Sequence, residues 1–340
     1  MRRSVLAVVV VALVLGAGVW WNSYGAHADS SVTSVVSTTS TTTIRRYVTT
    51  TTLFVPRPIC VRDDTPIHGT GPTLICHSWR HLDTWYRGAP SILTTSFAPD
   101  PAVPSVAAYA AWIRSATTDL SLYLGYKGPD SSYANRGPEM VPASARPRLL
   151  ATFNSGFYEA DSAAGFYVHH TLYHPMIDGL ATVVRYTNGR VDVIRWSDGA
   201  RPRANVQMAR QNLSLLVNAK VPTPRSANNA LWGVTLGGVA AVWRSALGVD
   251  AKGNLIYVAA PDQTSSSLAA ILVRLHVVRA MELDINPAWP IFVSYGGPGA
   301  RGASLDVANP NQIPGRFLYA STKDFFAVFT TRRPGEAQPW

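Results

Sequence analysis

Alternation of apolar and polar positions is the strongest local pattern in the chain. In LATVVRYTNGRVDVIRW (180–196), two β-branched runs flank Asn188-Gly189, which predicts a hairpin closed by a two-residue turn. ALGVDAKGNLIYVAAP (246–261) predicts a second hairpin around Gly253, and YAAWIRSATTDLSLYLGYKGPD (109–130) two short strands around a turn. One segment has helical spacing instead: Leu268, Ile271, Leu272 and Leu275 form an i, i+3, i+4, i+7 stripe, with the hydroxyls of Ser265 to Ser267 available as caps. The apolar stretch AMELD (280–284) follows at once, so a strand is expected beside that helix. Strands dominate and helices are few. The expected fold is α+β, a single mixed-sheet domain without internal repeats.

The first residues follow another pattern. Arg2 and Arg3 precede Ser4–Trp21, which carries no charge. As a helix these residues would span ~27 Å, about one hydrocarbon core. The arginines put the N-terminus in the cytoplasm, and Trp20 with Trp21 suits the far interface. Residues 1–28 therefore predict a single-pass anchor in the cell membrane with an extracytoplasmic body. The small-x-small motif Ala26-His27-Ala28 supports the competing reading, a cleaved signal peptide and a secreted protein. In residues 30–52, 15 of 23 positions are Ser or Thr, too polar to order alone, so 29–52 reads as a flexible stalk. Cys60 and Cys76 are the two cysteines. In an exported protein they predict one disulfide, worth roughly 3 kcal/mol by loop closure. The expected organisation continues with a disulfide-tied lead-in at 53–104, the main domain at 105–332 and a tail at 333–340.

Composition narrows the range of partners. Hydrophobic residues make up 47% of the chain, ample for a core, and only 15% are charged. The formal net charge is +10, scattered rather than in blocks, which argues against nucleic acid. A basic exterior suits a phosphate-bearing polymer surface.

Candidate chemistry lies at the ends of apolar runs. In MELDINPAW (281–289), Glu282, Asp284 and Asn286 are spaced by two, so an extended chain would point all three to one side. Asn154 precedes a Ser-Gly turn, and Gly156 and Gly165 would permit close backbone approach to a ligand. Arg210 and Arg244 stand beside apolar runs, placed to grip phosphate with forked hydrogen bonds. His169, His170 and His174 do not make a helical zinc motif; in an extended chain His169 and His170 would face opposite sides. No metal site is assigned, and no cofactor is implied.

The order FNSGF (153–157), RQNLSLLVN (210–218), WGVT (232–235), RSALGVD (244–250), a Ser-capped helix, AMELDIN (280–286) and STKDFFAV (321–328) resembles the phosphodiester glycosidase family over roughly 105–330. LDIN stands where most of that family has Leu-Asp-Gly-Gly-Gly-Ser, as in a divergent branch of the kind seen in actinobacterial envelope proteins. The resemblance implies hydrolysis of sugar-1-phosphodiester linkages in envelope glycans or polymers. Asp284 would be the acid/base or nucleophile, with Glu282 and Asn154 as further catalytic candidates; equally, Glu282 would cap the sheet or hold Arg244. Arg244, Arg210, Asn286 and Gly156 would bind substrate. The altered glycine stretch supports the alternative, a catalytically silent glycan- or anionic-polymer-binding protein. Under the first reading the three motifs share one pocket, and Asp284→Asn abolishes turnover without disturbing the fold.

Overall fold

The computed structural model describes residues 56–63, 73–81, 91–129 and 136–331. The chain divides into two units, Met1–Thr52 and Leu53–Trp340. The first unit, with the anchor and stalk readings, lies outside the described residues. Among those described, no helix is long and apolar enough to cross a membrane.

Among the described residues, three large antiparallel sheets and one two-stranded sheet build the second unit. The eight-stranded sheet runs, edge to edge, Val221–Pro222, Leu215–Asn218, Val277–Glu282, Val242–Asp250, Leu255–Gln263, Ala108–Ile113, Ile92–Phe97 and Arg80–His81. A five-stranded sheet runs Arg301–Leu305, Phe292–Gly297, Leu149–Asn154, Phe325–Thr330 and Thr118–Tyr123. The other five-stranded sheet holds Val191–Arg195, Ala181–Tyr186, Val206–Gln211, Phe166–Val168 and Thr171–His174. The expected mixed, helix-poor domain is present, with every pairing antiparallel. Strand Ile92–Phe97, from the stretch read as lead-in, is built into the large sheet beside Ala108–Ile113.

Period-two alternation explains how the sheets pack. On Phe325–Thr330, Phe326 and Val328 enter a core shared by all three sheets, while Phe325, Ala327 and Phe329 face a second cluster with Phe317 and Ile291. The large sheet does the same. Leu247, Val249 and Tyr257 enter the shared core, whereas Ala246, Ile256 and Val258 pack beneath the helix Ser265–Arg274.

That helix buries Leu268, Ile271 and Leu272, as its stripe predicts. Its cap is Thr264, one residue before the serines: Thr264 Oγ1 accepts from Ser267 N at 3.1 Å, and Ser267 Oγ accepts from Thr264 N at 3.0 Å. Thr264→Ala is expected to lower stability by about 1 kcal/mol, measurable by thermal denaturation.

Both predicted hairpins form, but with three-residue loops. Tyr186 N donates to Arg190 O and Gly189 N to Tyr186 O, with Gly189 at φ 86°. Asp250 N donates to Asn254 O and Gly253 N to Asp250 O, with Gly253 at φ 80°. In each, a tight turn is followed by a glycine in the left-handed region. The two-residue reading of Asn188-Gly189 counted one residue too few. The strands 108–113 and 118–123 enter different sheets, so the turn between them is a crossover rather than a hairpin.

Strands Ile59–Asp63 and Thr73–His77 pair antiparallel with Cys60 opposite Cys76. The cysteine side chains lie outside the described residues, and the disulfide remains an expectation.

Candidate active site

The ends of several strands meet at one place. Leu149–Asn154 ends beside the start of Phe325–Thr330, with Asn154 paired to Phe325. Val277–Glu282 ends beside Ala246 of Val242–Asp250. Beyond the last residue of that strand, the backbone stays tied to its neighbour: Leu283 N donates to Ser245 O and Ser245 N to Asp284 O, both at 2.8 Å. Asp284 is therefore fixed by backbone just where the regular ladder stops.

Its carboxylate meets the Lys323 ammonium in a short ion pair. Both side chains are almost wholly buried. Asp284 Oδ1 also accepts from Asn286 N at 2.9 Å. Burial raises the Asp284 carboxyl above the usual carboxylate range, with Lys323 pulling the other way. Aromatic rings enclose the ammonium: Nζ lies 4.9 Å from the Tyr158 ring centre, 5.1 Å from Trp289 and 6.0 Å from Phe157. Lys323 is held from behind by a close backbone approach, since a Cβ on Gly125 would stand 2.4 Å from the carbonyl carbon of Lys323.

A second ion pair adjoins the first. Arg210 donates from Nε to Asp324 Oδ2 at 2.8 Å, from Nη2 to Asp324 Oδ1 and Phe157 O, and from Nη1 to Gln211 O. Glu159 lies 3.8 Å from its Nη2. Burial raises the Glu159 carboxyl, against the pull of Arg210. Four of the five N–H groups of Arg210 are thus taken by protein groups, and the forked grip on a phosphate is not available in this arrangement.

Asn154 belongs to the same region but is equally committed. Its amide donates to Ser245 Oγ at 2.9 Å and to Ser155 O, while Oδ1 accepts from Tyr257 Oη at 2.8 Å and Ile291 N at 3.2 Å. All of its hydrogen-bonding capacity is used. Ser245 Oγ also accepts from Asp284 N at 3.1 Å, so Asn154 positions Asp284 through Ser245. Gly156 and Gly165 do make close approaches, but to side chains rather than to an open ligand site. A Cβ would stand 3.1 Å from Asn212 Cγ at Gly156 and 2.6 Å from Gln211 Oε1 at Gly165.

Arg244 and Glu282 lie apart from this cluster. Successive strand residues face opposite ways, so Ser245 faces Asn154 while Arg244 points to the helix side. Arg244 pairs with Glu282 at 2.6 Å, both fully buried, and donates to Gln263 O, Trp232 O and Asn229 Oδ1. Burial pushes the Glu282 carboxyl up to about 7, with Arg244 working against it. The one-sided row of Glu282, Asp284 and Asn286 does not form. The strand stops at Glu282, Asp284 pairs with Lys323, and Asn286 is exposed. Of the three residues expected in one pocket, Asn154 and Asp284 meet, and Arg244 supports the helix instead.

The histidines also differ from their extended reading. His169 and His170, at φ 51° and 62°, are the two-residue turn between Phe166–Val168 and Thr171–His174. Positive φ at both positions is what such a turn requires.

Lys323, Asp324, Tyr158, Trp289 and Arg316 were missed. The usable signal was Lys323-Asp324 ahead of Phe325–Thr330, a charged pair at the edge of an apolar strand like Glu282 and Asp284. Trp289 covers the site. The segment carrying it is clamped by Asn309, which donates to Pro287 O and Pro290 O, and by Gln312, which donates to Ala288 O. Hollows of about 290 and 340 Å³ lie elsewhere, and neither is lined by Asp284 or Lys323. Among the described residues, no group of three His, Cys, Asp or Glu is placed to hold a metal ion.

Residues 148–284 match the family model for phosphodiester glycosidases. That span runs from the start of strand 149–154 to the buried aspartate. No curated protein matches the chain. Among solved structures, the chain is similar to the zebrafish N-acetylglucosamine-1-phosphodiester alpha-N-acetylglucosaminidase catalytic domain, auto-inhibited by its pro-peptide. There the identity is 15% and the TM-score 0.47, over 76% of this chain and 89% of that one. A protein from Synechocystis is similar at 12% identity and TM-score 0.43, over 81% and 68% of the two chains.

Proposed function

We propose that the protein is an extracytoplasmic hydrolase of sugar-1-phosphodiester linkages in envelope glycans or polymers, of a divergent branch with LDIN in place of the glycine-rich stretch. The observation that carries this reading is the buried Asp284–Lys323 pair under Tyr158 and Trp289, at the end of the span matched by the phosphodiester glycosidase model. A glycosyl phosphate has a good leaving group, so one carboxylate beside the anomeric carbon suffices. Asp284 is that group, as nucleophile or base. Lys323 keeps its charge available, and Asn154 with Ser245 fixes its backbone. Asp284 is only 1% exposed as the site stands, so a side chain over it must move to admit substrate.

That same burial favours a second reading, a binding protein for anionic glycan in which the polar cluster is purely architectural. Incubation of the purified full chain with a panel of sugar-1-phosphodiesters distinguishes the two. Free sugar and a phosphomonoester are the expected products; binding without release across the panel supports the second reading. The exported location is tested separately, by protease added to intact cells. Digestion of the body is expected, and protection until the membrane is broken would refute the topology.

A further inference from the structure

Three arginines sit around the strand ends, and two of them are occupied. Arg210 is engaged by Asp324, Gln211 O and Phe157 O, and Arg244 by Glu282 and three other acceptors. Arg316 differs. It pairs with no carboxylate among the described residues. Its Nη1 donates to Ala288 O at 2.8 Å and to Gln312 Oε1 at 2.6 Å. Its Nε and Nη2 donate to no group among the described residues. Those two atoms form one flat edge of the guanidinium, the edge that matches two oxygens of a phosphate or carboxylate.

The group is also held in place. Its Cζ lies 4.6 Å from the centre of the Trp289 ring, the indole that also lies against Lys323. Stacking and the two Nη1 bonds restrict the side chain before any ligand arrives, so less rotamer freedom is lost on binding. Arg316 is half-buried, and burial works against its charge. Tyr158 and Asp284 are the acidic groups whose fields reach it, and Asp284 is already neutralised by Lys323. An anion at this edge would supply the compensation that the protein does not.

We propose that Arg316 binds the phosphate of the substrate, through its Nε–Nη2 edge, at the rim of the Asp284–Lys323 site. The inference rests on the functional reading above for the position of the reacting bond, and it moves the phosphate contact from Arg244 and Arg210 to a residue outside the matched span. The ligand class is a phosphodiester monoanion, one negative charge against one guanidinium. Trp289 and Tyr158, edge-to-face with ring centres 6.1 Å apart, leave an aromatic surface beside that phosphate for the attached sugar.

The test titrates the full chain with diphenyl phosphate, and with acetate as the carboxylate control, by calorimetry. Arg316→Ala is expected to weaken diphenyl phosphate binding about ten- to a hundredfold, the range of a lost charge-assisted contact. Arg316→Lys keeps the charge and can still reach Ala288 O, but loses the fork. A smaller loss is expected, and it keeps the test decisive if the alanine variant fails to fold, which thermal denaturation reports. Affinity unchanged in both variants, or acetate bound as tightly as the diester, overturns the proposal. Sugar release from glycosyl phosphodiesters is followed in parallel. Binding that depends on Arg316 without any turnover removes the hydrolase reading alone. Turnover and KM indifferent to both substitutions remove Arg316 alone.

Discussion

Asp284→Asn is expected to abolish sugar release from a glycosyl phosphodiester and, at the same time, to lower stability by about 3–5 kcal/mol. An isosteric change read from sequence alone predicts an undisturbed fold. Lys323 makes the difference: its side chain is 3% exposed and its ammonium pairs with Asp284. An amide in that place leaves a cation stranded away from water. Pairing Asp284→Asn with Lys323→Met removes the stranded charge and should recover most of the stability but none of the turnover. Denaturant unfolding and sugar release, measured on both variants, separate the two effects. A double variant that still hydrolyses substrate would sink the catalytic role of Asp284.

Arg244→Ala is expected to damage the fold as much, again by about 3–5 kcal/mol, with KM of the surviving folded protein unmoved. Arg244 ties Glu282 to Gln263 O, Trp232 O and Asn229 Oδ1, and Asn229 Oδ1 also accepts from Ser265 N at the start of the helix. One guanidinium therefore joins helix, sheet and the 229–232 turn. The loss should depend on pH. Glu282 stands at about 7 in the fold against an ordinary 4.5, so the folded protein retains a proton that the unfolded chain releases. Such a group gives its stability below the unfolded value and loses it as pH rises toward the folded one. Removing Arg244 extends that window upward, and the deficit of the variant should widen as pH rises above about 7. A deficit independent of pH would mean that Glu282 is not the group left uncompensated.

Local signals were legible and long-range ones were not. Gly189 and Gly253 announced their hairpins because a turn is decided within a few residues, and the Leu268–Leu272 stripe announced the helix for the same reason. The exact turn length escaped, because a bulge depends on the partner strand. Asp284 was legible as a carboxylate at the end of an apolar run, but its partner was not. Lys323 is 39 residues away in sequence, and a lone lysine carries no periodicity. Arg244 was read both as a grip on phosphate and as a partner of Glu282, and the structure pairs it with Glu282; which of the two it would be depended on strand parity, for Ser245, not Arg244, faces Asn154. Which arginine stays unpaired depends on which carboxylates the fold brings near, and only assembled sheets decide that.

The placement of Phe325–Thr330 has a consequence for biosynthesis. This late strand lies between Leu149–Asn154 and Thr118–Tyr123, so the sheet is finished by inserting a middle piece rather than adding an edge. Until that piece has left the ribosome, the strand ends that carry Asn154 have no Phe325 beside them, and Asp284 has no lysine. Such non-local pairing is slow and leaves apolar surface exposed in the meantime. A nascent chain halted near residue 300 is expected to be cut readily by protease, whereas one released after residue 330 resists; equal resistance would mean that an earlier strand holds the gap.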